Sequence, residues 1–389
     1  MAVHRPSVAQ EIELDSIKND TRFYLELILQ LSSHQSASIL IFGLIPYLSL
    51  FIVETYKYLQ DALPVYASSL SKKHDGFIQS SRMRVKFFDD SKKRVDGMFE
   101  LLDWIIEFHN EWHINKHKGF LSPLKRILQK DLGVFGYDGH IIGSTHTGLL
   151  NLGYEKGDLP TTSKEISAVL GPLSFSVSEE MGQYIGQLSN WSEFAPDNMD
   201  VKHFEYNIQD EKLGYRDEKS YKYFASVFNG SEAQELNFAL MLFLATVNFF
   251  QHILKQLLVG SPSTLFKLKF IMLYHLASSL RKLQNYYYPK DVLTSRSKKY
   301  FQAILKDKDL AQIRTRSKLR NILVHYRIHG VPNEILAPTA RLFGLVEYFF
   351  DGKTYTEIED KLDNQIERIS ILLEEWLDWY IKPSQFSSW

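Results

Sequence analysis

A short stretch near the C-terminal end of the chain, "RNILVH", places three polar side chains within six residues: Arg320, Asn321 and His325. A histidine titrates near neutral pH, so it can take the proton of a ribose 2′-hydroxyl or protonate a leaving oxygen. An arginine that stays charged can hold a phosphate bidentately, and an asparagine can orient the imidazole or a phosphate oxygen. These side chains suit cleavage of RNA by its own 2′-hydroxyl, which needs no metal.

The helical geometry of this stretch raises the question of a second subunit. On a regular helix Leu319, Ile322, Leu323 and Tyr326 form the buried face. Arg320, Asn321, Val324 and His325 then point away from it, and the apolar Val324 indicates a partner surface. Arg320 and His325 lie about 140° apart, too far for close contact. Two copies about a twofold axis would bring both pairs into one cleft, so we expect a homodimer.

The chain as a whole is nearly neutral, yet the motif ends a strongly basic segment. Between Arg281 and Arg327 there are 13 Lys and Arg but 3 acidic residues, against a net charge of −1 overall. A dense basic segment is typical of phosphate-backbone binding, and Tyr286 to Tyr288 can stack on bases. The predicted RNA-binding residues are Arg314, Arg316, Lys318, Arg327, Lys298 and Lys299. The alternative is a solvated basic loop paired with an acidic helix, but more cations are present than salt bridges need.

Four amphipathic helices are predicted around the motif. Their ranges are about 232–258, 261–288, 309–328 and 356–381, and they predict a C-terminal helical bundle over 231–389. The remaining residues, 1–230, form an N-terminal region of unknown role that reads mainly as helix to about 135. From Gly133 to about Tyr223 the pattern is loop-rich and allows short strands, which also allows a subdivision of this region near 133. The fold class is therefore mainly α.

The third helix of this bundle resembles that of the HEPN domain family. The resemblance rests on R-x4-6-H on the third of four helices with a polar residue after the Arg, and covers about residues 231 to 382. It implies a dimeric, metal-independent endoribonuclease with Arg320, Asn321 and His325 as catalytic residues, commonly in toxin–antitoxin, abortive-infection or other antiphage systems. Tyr326 directly follows His325, whereas family members silenced by a nucleotidyltransferase antitoxin carry the tyrosine one place later. This departure puts silencing of that kind in doubt.

Composition and the other histidines limit the alternatives. The 389 residues include no cysteine, which excludes disulfides and thiolate chemistry, and we expect a cytoplasmic protein without cofactor or metal. The uncharged run from Ala37 to Val53 reads as a buried helix or helix pair rather than a membrane anchor. His109, His113 and His117 share a helix stripe, but a structural role is favoured over a metal site. A catalytically silent RNA-binding or scaffold protein remains the alternative function.

Overall fold

The computed structural model describes residues 7–32, 37–70, 75–89, 94–115, 130–156, 158, 163–191, 208–228, 234–257 and 262–377. It is 77% helical and 6% strand, which confirms a mainly α fold. The N-terminal helices are α1 (Val8–Ser32), α2 (Ala37–Ala62), α3 (Pro64–Ser68), α4 (Asp75–Arg84) and α5 (Arg94–Asn115). The helices of the middle region are α6 (Thr145–Asn151), α7 (Ser163–Asn190) and α8 (Ser220–Ser226).

A small antiparallel sheet lies in the middle region, where the sequence allowed short strands. Its strands are β1 (Leu132–Tyr137), β2 (His140–Ser144) and β3 (Leu213–Glu218), in the order β2-β1-β3. The expectation of a loop-rich region is wrong for α7, which is 28 residues long. Its interior Pro172 and its glycines weaken the helical pattern, so its length was not visible in the sequence.

The C-terminal part has helices at all four positions predicted for the bundle, and two further helices, at 295–305 and 345–349, that were not predicted. They are α9 (Gln234–Asn248), continued by a π-helical turn (Phe249–Leu254) and Lys255–Leu257, then α10 (Pro262–Tyr287), α11 (Ser295–Leu305), α12 (Lys308–Thr315), α13 (Ser317–His325), α14 (Leu345–Phe349) and α15 (Tyr355–Trp376). Short 3-10 turns occupy Asp210–Lys212, Tyr288–Lys290, Asn333–Ile335 and Arg341–Gly344. Helix α15 starts with a capping box in which Thr354 and Glu357 bond reciprocally to each other's backbone amides. The proposed start of α9 at Ser231 lies outside the described residues.

The predicted continuous helix over 309–328 is wrong in two places. The chain leaves the helical conformation at Arg316, which separates α12 from α13, and α13 ends at His325. Arg316 pairs with Asp351 at 2.9 Å and lies over the Phe350 ring, and Tyr326 adopts a left-handed conformation. Both interruptions coincide with contacts to residues distant in the sequence, which local periodicity does not encode.

The hydrophobic core is continuous across the boundary near residue 230. Phe87 packs on Phe243 with ring centroids 5.2 Å apart, and Tyr47 packs on Phe250 at the same separation. Two helical stretches, Ile39–Ala62 and Gln234–Leu254, are long and apolar enough to span a membrane, which by itself is weak evidence. Their apolar windows are 78% and 83% buried inside the protein, as in core helices, and the first stretch overlaps the Ala37–Val53 run from Ile39 onward.

Candidate active site

His325 is the last residue of α13 and forms a close pair with a carboxylate from the N-terminal region. Its Nδ1 lies 2.6 Å from Oε2 of Glu54 on α2. The His325 side chain is 41% exposed, whereas that of Glu54 is 2% exposed. A carboxylate only accepts, so Nδ1 carries the proton of this hydrogen bond, and in the neutral ring Nε2 keeps its lone pair. In that neutral form Nε2 is the nitrogen that can act as a general base.

Cations surround the Glu54 carboxylate. Arg82 on α4 forms an ion pair with it, and Nζ of Lys57 lies 3.3 Å from Oε1. Burial alone would raise the pKa of Glu54, but the hydrogen bond from His325 and the positive charges lower it to about 2. Glu54 is thus an ionised carboxylate at any pH near neutral, buried and held from two sides.

Acidic side chains of α1 and α2 contact each of the four residues from His325 to Ile328. The contacts are Glu54 to the His325 ring, Asp20 to the Tyr326 hydroxyl at 2.6 Å, Asp61 to Arg327 at 3.0 Å, and Glu13 to the Ile328 backbone amide at 2.8 Å. The helix that carries the predicted catalytic residues therefore ends on the N-terminal region.

Tyr326 ends α13 in the left-handed conformation, with φ 53°. Such a conformation costs a non-glycine residue about 1–2 kcal/mol, so other contacts have to support it. Asp20 accepts from the Tyr326 hydroxyl, and the Lys267 ammonium lies 3.8 Å from the Tyr326 ring centroid. Lys267 is itself buried and paired with Asp20, while Thr264 donates to the same carboxylate. These buried contacts fix the position of His325, one residue earlier.

Arg320 points to the other side of α13. Its guanidinium lies over the Tyr274 ring of α10, 5.0 Å from the centroid. In the described part of the chain no carboxylate pairs with Arg320, and its Nε is buried without a hydrogen-bond partner. The neighbouring His275 is buried against Asp89 at 3.0 Å, and burial lowers the pKa of His275 although Asp89 opposes that shift. Arg320 therefore keeps a positive charge that no described acid neutralises.

The other residues of the predicted outward face differ in their burial. Asn321 is exposed one helical turn before His325, as expected. The expectation for Val324 is wrong: it is 4% exposed, because α13 packs against α2 as well as against α10. The surface that the sequence assigned to a partner subunit at Val324 is thus covered by the N-terminal region of the same chain.

The predicted RNA-binding cations fall into two groups. Three of them form ion pairs: Lys298 with Asp291, Arg316 with Asp351 and Arg327 with Asp61. The expectation that these cations lack salt-bridge partners is wrong for these three. Lys299, Arg314 and Lys318 have no ion-pair partner among the residues that the structure describes; Lys299 lies near the Tyr300 ring. The cations that remain available are fewer than the sequence suggests.

Distance also separates these cations from His325. Lys298 pairs with Asp291, just beyond the C-terminal end of α10, whereas Lys267 near the N-terminal end of α10 contacts Tyr326. A helix of 26 residues is about 39 Å long, so Lys298 and Lys299 lie far from His325. Lys318 is exposed on α13 itself, and Arg327 follows two residues after His325. The structure thus brings Lys318 and Arg327 close to the motif, but not the lysines of α11.

A second histidine–glutamate pair lies away from the motif. His140 Nδ1 is 2.7 Å from Glu374 Oε1, and the Asn248 amide donates to the same oxygen at 3.0 Å. The His140 ring stacks on His252 with centroids 3.9 Å apart. The hydrogen bond to Glu374 raises the pKa of His140, while burial and the charge of His140 lower that of His252 to about 4. The π-helical turn after α9 places His252 opposite β2.

The remaining histidines do not form a metal site in the described residues. No group of three or more His, Asp or Glu side chains there is arranged to hold a metal ion. His109 is buried and stacks on His146 at 4.1 Å. The side chain of His113 and all of His117 lie outside the described residues, and His329 is exposed beyond the end of α13.

The sequence did not predict a role for Glu54 or Arg82, because both lie in the N-terminal region, to which no role was assigned. The position of Glu54 is only a weak indication of function: it is the first charged residue after the uncharged Ala37–Val53 run. Nothing in that position connects it with a histidine 271 residues further on.

No protein-family model, curated protein or solved structure matches the chain. Its function has to be inferred from the geometry of its own residues.

Proposed function

We propose that this protein is a metal-independent endoribonuclease whose site is assembled from Arg320, Asn321 and His325 of two identical subunits. The observation that carries the proposal is the combination of a guanidinium without a carboxylate partner and a partly exposed imidazole on one short helix. No carboxylate pairs with Arg320 among the described residues, and the His325 side chain is 41% exposed while Glu54 holds its Nδ1. A phosphodiester needs both: a fixed positive charge and a proton acceptor.

The reaction uses the RNA's own nucleophile. His325 takes the proton of a 2′-hydroxyl, the 2′ oxygen forms a bond to the adjacent phosphorus, and the bond from phosphorus to the 5′ oxygen breaks. That oxygen takes a proton from the protonated His325 of the partner subunit, which gives a 2′,3′-cyclic phosphate and a 5′-hydroxyl end. Arg320 binds the non-bridging oxygens and stabilises the charge that develops on them. Asn321, exposed one turn from His325, donates to the same phosphate.

The separation of Arg320 and His325 within one chain supports the homodimer. Arg320 packs toward Tyr274 on α10 and His325 toward Glu54 on α2, so the two side chains lie on different sides of α13. A second copy about a twofold axis brings the arginine of one subunit to the histidine of the other. Lys318, which has no ion-pair partner among the described residues, is the cation on α13 placed to hold the RNA backbone beside that cleft. A role in antiphage defence or as a toxin is what the resemblance to the HEPN family implies, and the absence of cysteine fits a cytoplasmic location.

The central test is cleavage of a structured RNA by the purified full-length protein in excess EDTA. Arg320→Ala and His325→Ala should each lower the cleavage rate about 10²–10⁴-fold, as expected for loss of a charge stabiliser or a general base. His140→Ala is the matched control, because it removes a histidine with a similar carboxylate partner at a distant place, and it should leave the rate unchanged. Binding without cleavage by the wild type would instead identify a catalytically silent RNA-binding or scaffold protein.

A mixing experiment tests whether the site is shared between subunits. An excess of the Arg320→Ala/His325→Ala double variant is exchanged into the wild-type protein, and the activity per wild-type chain is measured. Each mixed dimer contains one intact arginine and one intact histidine in place of two, so activity should fall as the double variant is added. Activity that stays proportional to the wild-type chains alone would argue for independent subunits.

A further inference from the structure

The N-terminal region contributes a side chain to the site on α13. We infer that Glu54 is a positioning residue, which fixes the orientation and the tautomer of His325 for proton transfer, and that Arg82 in turn holds Glu54. This inference rests on the proposed ribonuclease function. It assigns to α2 and α4, outside the four-helix bundle, a part in the chemistry of that bundle.

The first argument is which nitrogen the carboxylate occupies. Glu54 Oε2 lies 2.6 Å from Nδ1, and the carboxylate is buried while the imidazole is 41% exposed. Nδ1 therefore carries a proton, and in the neutral ring the nitrogen left to meet a substrate is Nε2 with its lone pair. When His325 takes a proton at Nε2, the ring becomes an imidazolium, and the negative charge of Glu54 stabilises it.

The second argument is that the carboxylate is held rigidly. Arg82 pairs with Glu54 from α4, and Lys57 approaches Oε1 from the next turn of α2. Arg82 is itself buried, so this ion pair is shielded from water. A buried carboxylate between two cations has little freedom to rotate, and the imidazole that it binds keeps one orientation.

The third argument separates positioning from inhibition. A carboxylate that kept the site closed would cover the groups that meet the RNA, namely Nε2 of His325 or the guanidinium of Arg320. Glu54 contacts neither group: it accepts a hydrogen bond from Nδ1 of His325, and no acid among the described residues pairs with Arg320. The His325 side chain stays 41% exposed beside this contact, as expected when the carboxylate orients the ring from Nδ1.

The experiment combines kinetics with a measurement of the imidazole itself, on the full-length protein. Glu54→Gln should lower kcat for RNA cleavage about 10–100-fold, the usual cost of losing a group that orients another residue, with KM within about twofold. Glu54→Asp, which keeps the charge, should recover part of kcat. Glu374→Gln is the matched control, since it alters the His140–Glu374 pair, whose hydrogen-bond distance of 2.7 Å is close to the 2.6 Å of the His325–Glu54 pair, and it should leave kcat unchanged.

Nitrogen-15 NMR of the histidine side chains tests the inference without relying on activity. The His325 signals, assigned by their loss in His325→Gln, should show the proton on Nδ1 in the wild type. In Glu54→Gln the proportion of the other tautomer should rise. A wild-type His325 with its proton on Nε2 at neutral pH would overturn the inference, even where Glu54→Gln fails to fold.

The outcomes distinguish the two proposals. Absence of cleavage by the wild type overturns the ribonuclease function, and the NMR spectrum then still reports whether Glu54 sets the tautomer. Cleavage by the wild type with an unchanged kcat and tautomer in Glu54→Gln overturns the positioning role alone. A higher kcat in Glu54→Gln also overturns it, since the carboxylate would then be inhibitory.

Discussion

The His325–Glu54 pair and the His140–Glu374 pair have nearly the same hydrogen-bond geometry and different surroundings. In both, Nδ1 lies within 2.7 Å of a glutamate oxygen. Glu54 is 2% exposed and lies between Arg82 and Lys57. Glu374 is 32% exposed, and the oxygen that contacts His140 also accepts a hydrogen bond from the Asn248 amide. The two histidine side chains are similarly exposed, His325 by 41% and His140 by 36%, but His252 covers one face of the His140 ring. A short distance to a carboxylate is therefore common to both pairs, and what distinguishes His325 is a buried partner that two cations hold.

The largest difference between the two pairs should appear in stability. Glu54→Ala leaves Arg82 buried without its partner, and breaking a buried ion pair in this way costs about 3–5 kcal/mol of unfolding free energy. Glu374→Ala removes a partly exposed pair, and we expect a loss of about 1 kcal/mol. Chemical denaturation of both variants measures these values. Equal losses would show that burial of Glu54 has no energetic consequence, and the contrast between the pairs would be lost.

The pH dependence of stability should separate the pairs next. The pKa of Glu54 is about 4.5 in the unfolded chain and about 2 in the folded protein, so its ionised carboxylate stabilises the fold fully above pH 4.5. This stabilisation, about 3 kcal/mol of unfolding free energy, is lost as the pH falls through 2. The pKa of His140 is raised instead, so its contribution is present below its unfolded pKa of 6.5 and is lost as the pH rises through the folded value.

Denaturation of single variants at several pH values checks these opposite signs. The stability gap between wild type and Glu54→Gln should narrow from pH 4.5 down to pH 2. The gap between wild type and His140→Ala should be widest below pH 6.5 and narrow as the pH rises. A gap for Glu54→Gln that stays constant through acid would mean that this carboxylate is not stabilised in the folded state.

The two pairs also show what the sequence can predict. The long bundle helices and the polar set of Arg320, Asn321 and His325 were predictable, because helical periodicity and motif spacing are local properties. Glu54 was not, because its pairing with His325 joins residues 271 positions apart and no local pattern marks a long-range polar contact. The end of α13 was missed for a similar reason: Tyr326 adopts φ 53° with Asp20 and Lys267 around it, and propensity alone continues the helix.

The smallest effect is expected at His252, which stacks on His140 at 3.9 Å. Its pKa is lowered to about 4, so at pH 7 it is neutral, and His252→Phe keeps a flat ring against the His140 imidazole. We expect a change of less than about 1 kcal/mol in unfolding free energy at pH 7. Below pH 6.5 the unfolded chain protonates His252 before the folded protein does, so the wild type loses stability that the phenylalanine variant retains. The difference in unfolding free energy between the variant and the wild type should therefore shift in favour of the variant when the pH is lowered from 7 to 5. An equal difference at both pH values would show that folding does not lower the pKa of His252, and that His252 is protonated in the folded protein at pH 5.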